Sequence, residues 1–507
     1  MGELYGNLAK GFAGVVTPAH LMAVFAGSFM GTVVGVLPGL GPSATIAILL
    51  PMTLTMGPTT GLIMLAGIFF GAQYGGSTTS ILFRMPGEAS SVITSIDGHE
   101  MAKKGRAGAA LTASAIGSFL AANMGFIGLA LFAVPLARYA LRFGPPEYFA
   151  LSFGGLLILA NVSGGSRLRN LAMVGVGVML GTVGTDPIAG ALRLDFGVSF
   201  LAKGIDYTAV LIGLFGMAEI IAWAIAGDGG VPRMTAIRVR DLYPTREEWR
   251  RMVAPIFRGG VVGFLVGLLP GPGAITSTYV SYAMERGVSK RRDEFGRGAI
   301  EGVAGPESAN NAAAVGQMVP LLALGLPFSG LTAMLLGAMM MQGITPGPLF
   351  IAQRPDVFWV LVASFFLGNL VLLVFNLPLV GLMAMVLRVP MTILMAIIAL
   401  LCILGTFSLN SDFVDVWMML VFGVIGFVMQ QFHYEPPPLI LGMVFGPIME
   451  RALVQSLLQF QGDLLAFWAR PISAVILSAA IAVAVAAPLW AWRSRRAGRN
   501  VAGVVQG

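Results

Sequence analysis

Apolar segments recur along the whole chain, separated by short polar stretches. In the first half they fall near residues 20–37, 44–70, 109–137, 148–163, 171–190 and 207–226. In the second half they fall near 254–269, 317–341, 356–379, 380–406, 414–431 and 470–492, with a shorter piece near 437–449. A helix needs about 20 apolar residues to cross a bilayer. Most of these segments approach that length, while 148–163 and 254–269 are short. The pattern predicts an all-α polytopic membrane protein with about 11–13 membrane-inserted helices. Strands are not expected, because a helix satisfies its own backbone in lipid.

Two of the apolar segments are broken by one motif, Val34-Gly-Val-Leu-Pro-Gly-Leu-Gly41 and Val266-Gly-Leu-Leu-Pro-Gly-Pro-Gly273. Pro removes a helix donor and Gly frees the backbone, so each should interrupt a helix. Broken backbone survives at membrane depth only where protein buries it or it lines a cavity. Two breaks in two halves point to a binding site at the interface of two pseudo-symmetric repeats. The motifs are 232 residues apart, and the same spacing sets Gly76-Ser-Thr-Thr79 opposite Ser308-Ala-Asn-Asn311 without a gap. These are the most polar short runs within their halves. Beyond them the register fails, since Met85-Pro-Gly87 needs an insertion to meet Leu326-Pro-Phe328.

Charge adds topology. The polar stretch 227–253 carries Arg233, Arg238, Arg240, Arg246, Arg250 and Arg251, and the stretch 285–297 carries Arg286, Lys290, Arg291, Arg292 and Arg297. Both read as cytoplasmic by the positive-inside rule. The segment between them then enters and leaves on one side, as a re-entrant hairpin with Pro270-Gly271 at its tip and half-helices of about 12–14 residues. Two short spans, or one interrupted helix, are the alternatives. Lys103, Lys104 and Arg106 suggest the same side for their loop, and Arg493, Arg495, Arg496 and Arg499 put the C-terminus in the cytoplasm. The chain divides into an N-terminal membrane repeat (1–226), an Arg-rich linker (227–253) and a C-terminal membrane repeat with a basic tail (254–507).

Composition agrees. Of 507 residues, 56% are hydrophobic and 11% charged, against about 25% charged in soluble proteins. Mean hydropathy is +0.84. The net charge of +7 is spread over loops and does not indicate a nucleic-acid partner. The single cysteine, Cys402, excludes an internal disulfide and reads as a buried apolar residue. His20, His99 and His433 are scattered and make no metal constellation. No removable signal peptide is expected at the N-terminus. There is no Gly-x-x-x-x-Gly-Lys-Ser/Thr, His-Glu-x-x-His or Gly-x-Ser-x-Gly motif, so neither an ATPase nor a hydrolase is supported.

The candidate chemistry lies at the breaks and polar runs. Pro38, Gly39 and Gly41, with Pro270, Gly271 and Gly273, open the backbone. Gly41 reads as a helix cap with Pro42 at the first position, aiming a positive helix end at the break. Ser77, Thr78 and Thr79, with Ser308, Asn310 and Asn311, offer hydroxyl and amide groups to a carboxylate. Pro306 reads as a first-position helix proline, with Glu307 in the first turn. Glu307 and the intramembrane Glu219 are candidates for ion coupling. Interhelical hydrogen bonding and kinked packing are the competing readings of these runs. Asp97 and Asp186 read as caps or turns.

The motifs also resemble a known family. Gly35-Val-Leu-Pro-Gly-Leu-Gly-Pro42 and Phe70-Gly-Ala-Gln-Tyr-Gly-Gly-Ser-Thr-Thr-Ser80 carry the likeness, with Met85-Pro-Gly-Glu, Asp97-Gly-His-Glu-Met-Ala and Gly105-Arg-Ala-Gly108. So do Phe143-Gly-Pro-Pro-Glu-Tyr-Phe149, Gly302-Val-Ala-Gly-Pro-Glu-Ser-Ala-Asn-Asn311 and Gly343-Ile-Thr-Pro-Gly-Pro348. Over nearly its whole length the chain resembles the large membrane (permease) subunit of the tripartite tricarboxylate transporters. The resemblance implies a multi-pass secondary transporter of the bacterial inner membrane. It implies partnership with a small membrane subunit and a periplasmic solute-binding protein that delivers an organic carboxylate. The expected activity is uptake of a citrate-like di- or tricarboxylate, coupled to Na⁺ or H⁺ and needing no cofactor, with alternating access by a moving hairpin-bearing bundle. It leaves a homo-oligomer open. A passive channel is the competing function.

Overall fold

The computed structural model describes residues 2–37, 41–162, 166–186, 190–226, 242–383, 385–386 and 389–496. Residues 227–241 of the expected linker lie outside that set, as do Pro38 and Gly39.

The chain runs through α1 (Gly2–Val15), α2 (Pro18–Gly35), α3 (Pro42–Leu54), α4 (Pro58–Phe83), α5 (Val92–Lys103), α6 (Ala107–Ala140), α7 (Pro145–Val162) and α8 (Arg167–Gly181). A short loop pair, β1 (Gly184–Thr185) and β2 (Leu192–Arg193), precedes α9 (Tyr207–Leu211), a π-helical turn at Ile212–Met217, and α10 (Ala218–Ala226). Then come α11 (Arg246–Gly267), α12 (Gly273–Val288), α13 (Glu301–Leu324), α14 (Gly330–Met341), α15 (Pro348–Gln353), α16 (Pro355–Asn376) and α17 (Val380–Met383). The last are α18 (Met391–Asn410), α19 (Phe413–Gln431), α20 (Pro436–Gln459), α21 (Ala466–Ala469) and α22 (Pro471–Arg496).

This is a helical, multi-spanning membrane protein. Among the described residues six helices are long and apolar enough to cross a bilayer: α2, α6, the continuous Tyr207–Ala226 stretch, α16, α19 and α20. Pro42–Thr53, Gly330–Met341, Thr392–Ser408 and Pro471–Val485 are apolar but shorter. Two sequence segments prove to be pairs of helices. The 44–70 segment breaks between α3 and α4 at Gly57-Pro58, and 317–341 breaks between α13 and α14 at Gly325–Ser329. Apolar composition hid both turns, because only Gly and Pro mark them. The expectation of no strands is corrected too. Gly184 and Thr185 pair antiparallel with Arg193 and Leu192. That loop lies beyond the apolar end of α8, where backbone pairing replaces helix. Arg193 Nη2 donates to Asp186 Oδ2 at 2.5 Å, so Asp186 serves the turn as expected.

Contacts divide the chain into two compact units, each drawn from both halves of the sequence. One comprises Met1–Leu141 and Asp206–Gln431, the other Arg142–Ile205 and Phe432–Gly507. Within the second, α7 and α8 pack on α20, and α22 packs on α7. Glu147 of the Phe143–Phe149 motif is 1% exposed, pairs with Arg470 at 2.6 Å and accepts the Gly144 N–H at 2.8 Å. Its role is to hold that unit.

The first unit is built on two helix pairs sealed by glycine. On α2, Gly27, Gly31 and Gly35 lie against the carbonyls of Met64, Ile68 and Ala72 of α4, so that an added Cβ would fall under 3.0 Å from each. On α11, Gly259, Gly263 and Gly267 lie in the same way against Gly305, Ala309 and Ala313 of α13. Small residues let membrane helices approach closely enough for backbone dispersion contacts to hold them. α6 packs beside α13, and α12 against both α11 and α13.

α11 and α12 form a helix–break–helix around residues 268–272, with Arg258 paired to Glu285 at 2.5 Å. Their lengths of 22 and 16 residues exceed the half-helices expected. The reason is at the start of α11. Thr245 and Glu248 form a capping box that extends the helix back through the polar Arg246–Arg251 turn. The basic stretches meet at one end of this unit. Arg106 bonds Glu248, Arg291 bonds Glu247 at 2.6 Å, and Arg251 bonds Glu294 and Glu301 at 2.5 and 2.7 Å. Lys104 Nζ donates to the Arg297 carbonyl.

Candidate functional site

Glu307 lies inside α13, not in its first turn as expected. The helix begins at Glu301, so Pro306 is its sixth residue. Asp97 explains the early start. Its Oδ1 accepts the N–H groups of Gly296, Gly298 and Ala299, at 2.9, 2.7 and 2.8 Å, and Tyr282 donates to Oδ2 at 2.8 Å. The carboxylate thus satisfies donors just ahead of α13 from outside, and the helix needs no proline to begin. Asp97 sits within α5 rather than in a turn of its own. Burial raises its carboxyl above the ordinary value, against the lowering effect of the three N–H groups and Tyr282.

Mid-helix, the Glu307 side chain is 1% exposed. Ser77 of α4 and Ser114 of α6 donate to its Oε2 at 2.7 and 3.0 Å, and Thr94 of α5 donates to Oε1. Four helices therefore converge on one carboxylate. Hydroxyl donors satisfy a buried anion without a second charge. On the next turn of α13, Asn311 Nδ2 donates to Ser118 Oγ of α6 at 2.7 Å. Its neighbour Asn310 turns toward Glu88, donating to Oε1 at 2.8 Å. Ser308 does not join them; its hydroxyl returns to the Ala304 carbonyl at 2.7 Å, on the face toward Gly117 and Gly259. Thr79 likewise bonds the Gly76 carbonyl at 3.1 Å, and Thr78 is buried on α4.

The first break behaves as the sequence suggests where it is described. Gly41 is the N-cap of α3 and Pro42 its first residue. In front of it opens a cavity of about 330 Å³, lined by Gly41, Ser43, Gly87, Glu88, Phe215 and Glu219 among others. The first N–H groups of a helix have no partner within the helix and carry its positive end. Two carboxylates face the same space. Glu219 follows the π-helical turn and receives Gln430 Nε2 at 3.0 Å. Such turns displace one residue from the regular ladder.

The second break takes different partners from those expected. Gly271, at φ +133°, donates its N–H to the Phe328 carbonyl at 2.9 Å. Gly273 starts α12 beside the Gln317 amide, which accepts Ser329 Oγ at 2.8 Å. Ser329 caps α14 in a box with Thr332. Gly271 and Gly273 thus meet Phe328 and Gln317, not Ser308–Asn311, and Gln317 in turn bonds Ser329. The cause is a change of register. Gly27 faces Met64, 37 residues on, whereas Gly259 faces Gly305, 46 residues on. The second half carries nine more residues there, and the Arg-rich loop before α13 accommodates them. In this register α4 and α13 end alike. Arg84 and Gly325 are left-handed caps, followed by Met85 N–H to Thr79 O at 3.4 Å and Leu326 N–H to Pro320 O at 3.3 Å. Counted from these two seams, Gly76 falls level with Gln317 and Glu88 with Ser329, a register nine residues from the ungapped one.

A family model described as "Tripartite tricarboxylate transporter TctA family" matches residues 21–441. The chain belongs to the tripartite tricarboxylate transporter TctA family. It is a large membrane subunit of that class, hence a transport protein rather than an enzyme. This TctA-family chain is 46% identical over 496 residues to "Uncharacterized 52.8 kDa protein in TAR-I ttuC' 3'region" of Agrobacterium vitis, covering 98% of each. It is 43% identical over 234 residues to "Uncharacterized protein in TAR-II ttuC' 3'region" of the same organism, covering 46% of this chain and 97% of the relative. No solved structure matches.

Thr94, Ser114 and Ser118 were not singled out by the sequence, nor was Gln317. Ser114 and Ser118 are lone hydroxyls in the Ala-rich α6. Their four-residue spacing is the signal, since it sets both on one helix face.

Proposed function

We propose that this subunit catalyses cation-coupled uptake of a di- or tricarboxylate, with the substrate held in the cavity at the start of α3. One observation supports this most: the positive end of α3 and two carboxylates, Glu88 and Glu219, line the same cavity. A helix N-terminus favours an anion. The carboxylates disfavour it by like-charge repulsion in a low-dielectric site. An anionic substrate therefore binds well only when a cation or proton offsets them, which makes coupling a property of the site.

In this reading Gly41 and the N-terminus of α3 contact one carboxylate of the substrate, and Asn310 orients Glu88. Pro38 and Gly39 belong to the same break. Pro270, Gly271 and Gly273, supported by Gln317 and Ser329, supply the corresponding polar opening of the second half. Ser77 and Asn311 serve Glu307 in ion coupling, with Glu219 at the cavity. The recurring glycine seams and matched helix ends support two repeats within residues 1–226 and 254–507, joined by the 227–253 linker. The chain would work in the inner membrane with a small membrane subunit and a periplasmic binding protein, its basic loops and C-terminus cytoplasmic.

The test is uptake of labelled di- and tricarboxylates into proteoliposomes containing all three components. Accumulation should require the binding protein and an inward Na⁺ or H⁺ gradient. Flux that persists without either would identify a passive channel and overturn the reading.

A further inference from the structure

Three helices of the first unit each carry a polar pair four residues apart: Gln73 and Ser77 on α4, Ser114 and Ser118 on α6, Glu307 and Asn311 on α13; Ser77, Ser114, Ser118, Glu307 and Asn311 meet at one interface. Residues four apart share a helix face. The pairs form two tiers. In the first, the Ser77, Ser114 and Thr94 hydroxyls surround the Glu307 carboxylate. In the second, Asn311 Nδ2 meets Ser118 Oγ and also the Glu307 carbonyl at 3.2 Å. Gln73 belongs to the second tier. α4 and α6 run in opposite directions, since Ser77 and Ser114 share Glu307 while Phe70 packs on Phe126. Gln73 therefore lies beside the turn of α6 that carries Ser118.

The second tier is incomplete in a specific way. Asn311 Oδ1 and both polar atoms of Gln73 have no hydrogen-bond partner, although Asn311 is 0% and Gln73 1% exposed. Buried amides without partners are costly and rare, and each calls for an explanation. The orphaned oxygens are acceptors, and they stand one helical turn from a carboxylate that no described ion pair reaches. A cation beside the carboxylate would give both oxygens a partner, leaving only the Gln73 Nε2 donor to be met otherwise. Hard cations take oxygen ligands. One carboxylate with neutral oxygens balances a single positive charge, whereas a divalent ion would leave net charge in low dielectric. A proton would satisfy one acceptor at most, and the carboxylate already receives three hydroxyl donors.

We propose that a small monovalent cation of the sodium class binds without its water between the two tiers, held by the Glu307 carboxylate, Asn311 Oδ1, Gln73 Oε1 and Ser118 Oγ. This rests on the cation-coupled reading above and names its ion site. The site shares α13 with Asn310, whose bond to Glu88 reaches the substrate cavity. Ion occupancy and cavity charge are thereby joined through consecutive residues of one helix.

The experiment is binding of radioactive sodium to the purified full-length chain in lipid nanodiscs, with choline chloride holding ionic strength constant. A single saturable class of sites is expected, displaced by lithium and not by potassium. Glu307→Gln and Asn311→Leu should each weaken it by about 10–100-fold. Wild-type helicity and a monodisperse profile qualify each variant; should either variant misfold, the wild-type ion series decides. Absence of saturable binding, equal displacement by potassium, or unchanged affinity in both folded variants would overturn the site. If sodium fails to bind while reconstituted uptake still follows a cation gradient, this site is wrong and the coupled reading stands. If sodium binds as expected while uptake ignores every cation gradient, the site stands and the coupled reading falls.

Discussion

Asn310 Nδ2 donates to Glu88 Oε1 at 2.8 Å, tying the middle of α13 to the loop that lines the cavity before α3. Removing the amide takes a charge-assisted hydrogen bond from a half-buried carboxylate, a loss of about 1.5–3 kcal/mol. Asn310→Ala should therefore lower kcat/KM for carboxylate uptake by roughly tenfold or more, with the protein still inserted and folded. Initial rates in proteoliposomes across a range of substrate concentrations check it.

Glu219 bears on the same cavity with the opposite sign. Glu219→Gln removes one negative charge from the wall while keeping a hydrogen-bonding group near Gln430. Carboxylate affinity measured without a coupling cation should rise, by roughly fivefold for about 1 kcal/mol of relieved repulsion. The affinity gained on adding the cation should shrink. Equilibrium binding with and without sodium measures both.

The glycine seams predict a sharp difference between positions. Gly263 lies against the Ala309 carbonyl, and nothing approaches a Cβ added at Gly155. Gly263→Leu should separate α11 from α13 and lower stability by at least about 1–3 kcal/mol. Gly155→Ala, in helix α7, should be neutral or stabilising by about 0.5–1 kcal/mol. Thermal unfolding followed by circular dichroism in detergent separates the two.

The polar end of the first unit should respond to acid. Burial pushes the Glu248 carboxyl upward, but its bonds to Arg106 and Thr245 outweigh burial and hold it below the ordinary value. A depressed carboxyl contributes stability that is present above its unfolded value near 4.5 and is lost as pH falls through the lower folded value. The wild type should lose Tm as pH falls below about 4.5, and Glu248→Gln should lose less over the same window. Equal slopes for both would show that the pair with Arg106 contributes nothing.

In the second unit the pair Glu147–Arg470 is structural. Arg470→Met leaves Glu147 buried without its counter-charge, which costs about 3 kcal/mol. The double change Glu147→Gln with Arg470→Met should recover part of that loss, as a double-mutant cycle on thermal stability would read.

The sequence made the membrane class and the breaks legible because both depend on local chemistry. Gly41 and Pro42 cap α3 as their residue types dictate, and Cys402 is fully buried in its apolar run. Register was not legible in the same way. Polarity alone set Ser77 opposite Ala309, while the packing of α11 on α13 follows Gly259, Gly263 and Gly267 and shifts everything beyond by nine residues. Glu307 was identifiable as a candidate for ion coupling, but its place within the helix depends on Asp97, some 200 residues earlier. Ser114 and Ser118 were hidden because a hydroxyl in an Ala-rich helix reads the same whether it faces lipid or a carboxylate.

The glycine seams also limit how this chain can change over generations. What meets Gly31 and Gly263 is not a side chain but the carbonyls of Ile68 and Ala309. A bulky replacement in a side-chain interface can be rescued by a smaller partner across from it. Here no second-site suppressor of that kind exists, because a mutation cannot trim a peptide bond. A genetic screen for revertants of Gly31→Leu or Gly263→Leu should return small residues at the same codon rather than changes in the facing helix.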